Sequence, residues 1–97
     1  MNKTEKIFQK HKIDKFSKYR IEFNEHYNGL QKVYKFPNGY GASVIRHDGS
    51  YGGQQGLWEL AVTLHGILCY DTSITNDVLG HLNTEEVNKE LQAIKEL

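Results

Sequence analysis

Residues 36–46 combine a turn signal with a strand pattern, and they constrain the fold more than any other part of the chain. Pro37 has no N–H group for a strand ladder, so it ends the apolar run before it. Asn38 and Gly39 form the dipeptide best suited to two consecutive positive φ angles, which predicts a two-residue type I′ turn. Large and small side chains then alternate over residues 40–45, as in a strand with one face in a core. This stretch therefore predicts a β-hairpin that delivers a central strand.

Four more segments have the pattern of short strands. Their apolar residues alternate with polar ones or form one apolar face, and short turn sequences separate them. Asn28-Gly29 is one such turn and His65-Gly66 is another. The segments are 19–24, 30–36, 57–64 and 67–70. Strands joined in succession by short turns are typical of an antiparallel meander, which predicts a sheet of four to five strands over 19–70.

The segments outside the sheet favour helices. Thr4 is a suitable N-cap for a helix over 4–16, inside a lysine-rich segment at 1–18. Thr75 can cap a short helix over 76–82, which Gly80 interrupts. We therefore predict a basic, helical N-terminal segment and two helices in the C-terminal part of the chain.

The last helix has the strongest sequence signals. Asn83 and Glu86 have the spacing of a capping box, in which each side chain accepts a backbone N–H of the other residue. An apolar stripe then recurs at helical spacing, formed by Val87, Leu91, Ile94 and Leu97. The predicted architecture is a single α+β domain over 1–97, with an antiparallel sheet and helices packed on one of its faces, the C-terminal ones over 75–97.

Charge is distributed unevenly along the 97 residues, although the formal net charge is zero. Residues 1–20 carry seven lysine and arginine residues against two acids, a balance of +5. Residues 71–97 carry six acids against two lysines, a balance of −4. Zero net charge gives no bulk attraction to nucleic acid or membranes, and the two ends either face each other or meet different partners.

Several functional classes find no support in the sequence. The single cysteine, Cys69, excludes an intramolecular disulfide and a cysteine-based zinc site. No apolar run has the length of a membrane span, and no signal-peptide core follows the first residues. No catalytic triad, paired carboxylates or cofactor-binding motif is present. We therefore expect a cytoplasmic protein without a cofactor, without a membrane partner and without catalytic activity.

The loop 47–56 is rich in glycine. Its glycine spacing matches neither a P-loop nor a dinucleotide-binding motif, and a strand rather than a helix follows it. It therefore favours a flexible hairpin loop with room to adapt, in which Gly53→Ala should cost less stability than Gly39→Val at the preceding turn. As a protein-binding loop it offers Tyr51 as an aromatic anchor, unless this ring packs back on Trp58. The polar residues beside the anchor are His47, Asp48, Gln54 and Gln55.

Part of the chain also resembles a known family. The stretches that carry the resemblance are YKFPNGYGASVIR at 34–46, SYGG at 50–53, GLWELAV at 56–62 and CYDT at 69–72. In these stretches the region 29–82 resembles a family of small bacteriophage and prophage proteins without an assigned activity. The resemblance implies a phage-type accessory protein in a host cell, and it carries over no catalytic residue.

Three functions remain open from the sequence. The first is a non-enzymatic accessory protein that binds a host protein or a protein–nucleic-acid complex, and that inhibits host defence as an anti-CRISPR protein does. The second is a nucleic-acid-binding protein, whose affinity would fall steeply with salt. Its contact residues would be Lys3, Lys6, Lys10, Lys12, Lys15, Lys18 and Arg20. The third is a small hydrolase or nuclease subunit that uses His47, Asp48 and His81 as acid–base groups.

Overall fold

A computed structural model of the chain describes residues 14–26 and 28–97, and all structural statements below refer to these residues. They form one antiparallel sheet in the order β1-β2-β3-β4-β5, with β6 also paired to β4. The strands are β1 (Arg20–His26), β2 (Gly29–Lys35), β3 (Tyr40–Arg46), β4 (Trp58–Leu64), β5 (Ile67–Leu68) and β6 (Leu79–Leu82). The helix α1 (Thr84–Lys95) follows directly. The α+β class and the antiparallel sheet are confirmed, although the sheet has six strands rather than four to five.

The hydrophobic core lies between one face of the sheet and the two chain segments that cover it. Strand β2 alternates buried and less buried residues, as a half-buried strand does, whereas residues 60–63 of the more central β4 are buried on both faces. The helix α1 covers β3 and β4, and Phe16 and Tyr19 set their rings edge-on to Phe36, at centroid distances of 6.1 and 5.2 Å. The fully buried side chains of the core include Leu30, Phe36, Val44, Leu60, Val62, Leu91 and Ile94.

Helix α1 begins where the sequence predicts. The Asn83 side chain accepts the N–H of Glu86 at 2.8 Å, and the Glu86 carboxylate accepts the N–H of Asn83 at 3.0 Å, so the capping box is confirmed. Val87, Leu91 and Ile94 are buried. Leu97 lies beyond the end of the helix and is 39% exposed, so the predicted apolar stripe ends at Ile94.

The turn between β2 and β3 differs from the prediction. Gly39 has φ +87°, but Asn38 does not have a positive φ, so the predicted type I′ turn is wrong. The N–H of Gly39 instead donates to the carbonyl of Phe36 at 3.0 Å, and the Phe36 N–H donates to the carbonyl of Tyr40 at 2.8 Å. This pattern is a three-residue loop, a turn followed by a glycine in the left-handed region.

Two consecutive positive φ angles occur at the β4–β5 turn instead. His65 has φ +52° and Gly66 has φ +82°. Two residues thus connect Leu64 to Ile67, with the angles that a type I′ hairpin requires. Histidine is among the residue types that enter the left-handed region more often than most, which permits this turn without asparagine.

The helix predicted over 76–82 is wrong, because residues 79–82 form strand β6. On the edge of β4 that faces away from β3, backbone N–H and carbonyl groups are open to pairing with a further strand. Strand β5 pairs with only the last two residues of β4 along this edge. Strand β6 pairs with the first part of the same edge, with Leu82 opposite Trp58 and Leu79 opposite Leu60. The hydroxyl of Thr75 accepts the N–H of Asp77 at 3.1 Å, so Thr75 stabilises a local turn rather than a helix start.

The helix predicted over 4–16 lies outside the described residues except for 14–16, which precede a 3-10 turn at Ser17–Tyr19. Among the described residues, α1 is therefore the single α-helix on the sheet. No helix in this part of the chain is long and apolar enough to span a membrane.

Candidate interaction loop

The loop 47–56 connects β3 to β4, and its first turn is closed by Ser50. The Ser50 hydroxyl oxygen accepts the N–H of His47 at 2.9 Å and donates to the carbonyl of His47 at 2.8 Å. The Ser50 N–H donates to the same carbonyl at 3.1 Å. The His47 ring also takes part, because its Nδ1 accepts the N–H of Gly49 at 3.0 Å. The start of the loop is thus fixed by side chains as well as by the backbone.

The second half of the loop is a short 3-10 turn between two glycines. Gly52 has φ +87° and Gly56 has φ +76°, and both occupy the left-handed region that favours glycine. The carbonyl of Gly52 accepts the N–H of Gln55 at 3.0 Å and that of Leu57 at 2.9 Å. The loop therefore turns back into β4 within a few residues.

Gly53 has less room than a flexible loop would give it. A Cβ at this position would overlap the carbonyl oxygen of His47 and would lie 2.5 Å from the hydroxyl oxygen of Ser50. Both atoms belong to the hydrogen-bonded first turn, so they cannot move without breaking it. The loop backbone is packed on itself at this point.

The loop is also fastened to β6 and β4. The carbonyl of Tyr51 accepts the N–H of His81 at 3.1 Å, and the N–H of Tyr51 donates to the carboxylate of Glu59 at 3.1 Å. Glycines allow the close approach: a Cβ at Gly80 would lie 2.5 Å from the Cβ of Tyr51, and one at Gly52 would lie 2.8 Å from the Cα of His81. The backbone of Tyr51 is thus held on both sides.

The ring of Tyr51 remains accessible, with 63% of the residue exposed. Trp58, the other residue on which this ring might pack, is only 3% exposed in the core. Asp48, Gln54 and Gln55 are exposed on the same loop, and His47 is half-buried. The structure therefore presents the five predicted contact residues on one loop, with an aromatic side chain among polar ones.

The residues proposed for nucleic-acid contact are only partly within the described chain. Lys3, Lys6, Lys10 and Lys12 lie outside it. Lys15 and Lys18 are exposed, whereas Arg20 is directed to the carboxylate of Asp14 at 3.2 Å and its side chain is only 14% exposed. Arg20 therefore forms an ion pair within the fold, with Asp14.

Asp14 is the acceptor of a largely buried polar cluster on the core side of the sheet. Its Oδ2 lies 3.2 Å from the guanidinium of Arg20, 2.9 Å from the ammonium of Lys32 and 2.8 Å from the hydroxyl of Tyr34. Its Oδ1 accepts the N–H of Phe16 at 2.8 Å. The cluster fastens the segment before β1 to β2 through hydrogen bonds to a charged acceptor.

The environment shifts the pKa of two groups in this cluster. Burial by itself raises the pKa of Asp14, but hydrogen bonds from Lys32 and Tyr34 and the charge of Lys32 hold it below its usual value. Burial, followed by the hydrogen bond to the Asp14 carboxylate, raises the pKa of Tyr34. Asp14 is therefore stabilised as a carboxylate and Tyr34 as a neutral donor.

Cations also stack on Trp58 and Phe23 along this face. The ammonium of Lys32 lies 5.4 Å from the Trp58 ring and 5.5 Å from the Phe23 ring. The guanidinium of Arg46 lies 5.3 Å from the Trp58 ring, and that of Arg20 lies 4.7 Å from the Phe23 ring. These cation–π contacts and the ion pair with Asp14 compensate the burial of the Lys32 ammonium, which is why Lys32 can be only 6% exposed.

The three groups of the hydrolase hypothesis lie on or beside the loop. His47 binds the Gly49 N–H through Nδ1, Asp48 is exposed, and His81 packs beside Gly52. In the described part of the chain, no group of three or more histidine, cysteine or acidic side chains could hold a metal ion. The Cys69 thiol donates to the Asp71 carboxylate at 2.9 Å, and this bond raises its pKa, which disfavours a reactive thiolate.

The anchoring residues of the loop were missed by sequence reasoning. Glu59 reads as an ordinary polar position of β4, and Gly80 and His81 fall in a predicted helix. The one available signal was Gly80 itself, since a glycine inside a helical pattern weakens the prediction of a helix, and in a strand it marks a close backbone approach. No protein-family model, curated protein or solved structure matches this chain.

Proposed function

We propose that this protein is a non-enzymatic binding protein that contacts a protein partner through the loop 47–56, with Tyr51 as the anchor. The observation that carries the proposal is that the backbone of Tyr51 is fixed by hydrogen bonds to Glu59 and His81 while the residue is 63% exposed. Because its backbone is already held and tyrosine has few side-chain torsions, Tyr51 would lose little conformational entropy on binding, and tyrosine is a frequent hot-spot residue.

The surroundings of the anchor also support a protein partner. Asp48, Gln54 and Gln55 offer both donors and acceptors around an apolar ring, as in the polar rim of a protein interface. The resemblance to small phage proteins supports a host protein, or a host protein–nucleic-acid complex, as the partner class. Inhibition of a host defence system is the biological role that we propose on that basis.

The proposal is tested by capturing partners with the wild type, Tyr51→Ala and Tyr70→Ala. Tyr70 is 46% exposed outside the loop and provides a matched loss of an exposed tyrosine. A host lysate is passed over each immobilised protein, with and without nuclease treatment, and mass spectrometry identifies what is retained. We expect a protein that the wild type and Tyr70→Ala retain and that Tyr51→Ala loses, with or without nuclease.

Calorimetry with the isolated partner then gives the size of the effect. Tyr51→Ala should weaken binding by at least about 2 kcal/mol while the melting temperature stays close to that of the wild type. The same retained proteins for all three baits would rule out the loop as the binding site. Retention that nuclease abolishes would instead support nucleic-acid binding.

A further inference from the structure

Arg46 ends strand β3 next to the loop 47–56, and its side chain is held on a buried aromatic ring. The Arg46 guanidinium carbon lies 5.3 Å from the centre of the Trp58 ring. The carbonyl of Arg46 packs on Gly29, where a Cβ would overlap it, and its guanidinium lies 4.0 Å from the place that a Cβ of Gly56 would take. Stacking on an aromatic face orients an arginine side chain before any ligand binds.

The donors of this guanidinium are not used inside the fold. The chain has two arginines, and Arg20 is paired with Asp14 at 3.2 Å. Among the described residues, ion pairs join Asp14 to Arg20 and to Lys32 only, and no side chain or carbonyl of these residues accepts a hydrogen bond from Arg46. A guanidinium carries five N–H donors in a planar fork that matches the two oxygens of a carboxylate.

The ring that holds Arg46 also carries a second cation. The Lys32 ammonium lies 5.4 Å from the same Trp58 ring, and its carboxylate partner Asp14 is shared with Arg20. Three cations therefore surround one carboxylate on this side of the sheet. Lys32 is buried, whereas Arg46 is half-buried and reaches solvent. The excess positive charge favours an anion at Arg46.

We propose that Arg46 binds one carboxylate of the protein partner, from an aspartate or glutamate side chain, beside the contacts of the loop 47–56. The choice of a protein partner rests on the function proposed above, whereas the carboxylate site itself does not require it. Arginine is a frequent hot-spot residue, and a charged partner group gives a bidentate pair its geometric specificity.

The acids around Arg46 favour a single carboxylate over a nucleic-acid backbone. Asp48 is exposed two residues further along the chain, and Glu25 is exposed on β1, across Leu30 from Arg46. A nucleic acid carries a negative charge at every phosphate, so these acids would repel the phosphates next to the bound one. A lone carboxylate has no such neighbours.

Proton–nitrogen correlation spectra of the full chain test the site, because each of the two arginines gives one Nε–H signal. Sodium acetate is titrated at constant ionic strength against sodium chloride, and the Arg46 signal is assigned by its loss in Arg46→Gln. We expect this signal to move along a saturating curve, while the Arg20 signal stays in place because its guanidinium is already bound to Asp14. A linear drift of the Arg46 signal, or equal shifts of both signals, overturns the proposal.

Dimethyl phosphate, which resembles a nucleic-acid phosphodiester, is titrated in the same way. It should move the Arg46 signal less than acetate does at equal concentration. Equal or tighter saturation by dimethyl phosphate would overturn the choice of a carboxylate and favour a nucleic-acid backbone.

Calorimetry with the captured partner separates this inference from the function proposed for the loop. Arg46→Lys keeps a cation on the Trp58 ring but loses the planar fork, so it should weaken binding about tenfold or more at a nearly unchanged melting temperature. Lys35→Gln removes an exposed cation at the far end of β2 and should bind as the wild type does. Full affinity of Arg46→Lys beside a weakened Tyr51→Ala contradicts the role of Arg46 alone. Full affinity of both variants contradicts the function proposed for the loop as well.

Discussion

The side chain of Asn38 caps the C-terminus of α1, with its Nδ2 3.0 Å from the carbonyl oxygen of Ile94. The same amide group lies 3.0 Å from the carbonyl of Lys95 and 3.2 Å from that of Leu97, and its Oδ1 accepts the N–H of Tyr40 at 3.0 Å. The last carbonyls of a helix lack the regular i+4 N–H partner, so the Asn38 amide supplies them with a donor, beside the N–H of Leu97 that reaches the Ile94 carbonyl at 3.2 Å. One residue of the β2–β3 turn thus joins the final helix to the sheet.

We expect Asn38→Asp to destabilise the fold by about 1–2 kcal/mol, as measured by urea denaturation at neutral pH. The substitution keeps the acceptor for the Tyr40 N–H but replaces the donor with a negative charge at the negative end of the helix dipole. Asn76→Asp, at an exposed loop position, is the matched control and should change stability by less than about 0.5 kcal/mol.

Acid should relieve this defect. An aspartate at position 38 would face the helix carbonyls, so its pKa would be higher in the folded state than in the unfolded state. The loss of stability is therefore present at neutral pH and disappears as the carboxylate binds a proton. The stability difference between Asn38→Asp and the wild type should therefore shrink at low pH. Equal stabilities of the two proteins at neutral pH would mean that the contact contributes nothing.

Gly53→Ala should cost about 1–3 kcal/mol, because its Cβ overlaps the backbone of the first loop turn. Gly49→Ala is the control within the same loop. Its Cβ would meet only the His47 ring, at 3.3 Å, and its φ is not positive, so the change should stay below about 0.5 kcal/mol. Thermal denaturation of both variants measures the difference, and similar melting temperatures would show that the loop rearranges freely.

Leu91→Ala should cost about 2–5 kcal/mol of unfolding free energy, since Leu91 is 1% exposed between α1 and the sheet. Leu97→Ala removes the same side chain from a position that is 39% exposed and should cost far less. Equilibrium denaturation with urea compares the two variants. Comparable losses would indicate that the C-terminal residue packs as tightly as the helix interior.

Local patterns in the sequence predicted the parts of the fold that local interactions determine. Strand β3 lies at 40–46 as its alternating side chains predicted, and the capping box of Asn83 and Glu86 forms because both partners are three residues apart. The β2–β3 turn was predicted with the wrong geometry. The Asn38 side chain donates to the carbonyl of Ile94, which is distant in the sequence, and local turn preferences cannot predict a contact with so distant a residue.

Strand β6 and the support of the candidate loop depend on tertiary contacts. The segment 79–82 has no alternating pattern. It forms a strand because it pairs with the edge of β4, whose backbone groups would otherwise lack hydrogen-bond partners there. The exposed loop residues are contiguous and could be named from the sequence. Glu59 and His81, which hold Tyr51 in place, come from two other strands, so only the folded chain brings them to the loop.

The largely buried Asp14 cluster predicts a specific dependence of stability on pH. Asp14→Asn removes the charge that compensates Lys32, whose side chain is only 8% exposed, and should cost about 3–5 kcal/mol at neutral pH. Because the pKa of Asp14 is lowered in the folded state, the wild type has this stabilisation above the ordinary value of 3.8 and loses it as the pH falls through the lowered one. Urea denaturation across the acid range should show the gap between wild type and Asp14→Asn closing there. Adding Lys32→Met to Asp14→Asn should recover part of the loss, since the more buried of the two cations paired to Asp14 is then removed, while Arg20 remains. A gap that stays constant with pH would mean that Asp14 contributes through its shape and not through its charge.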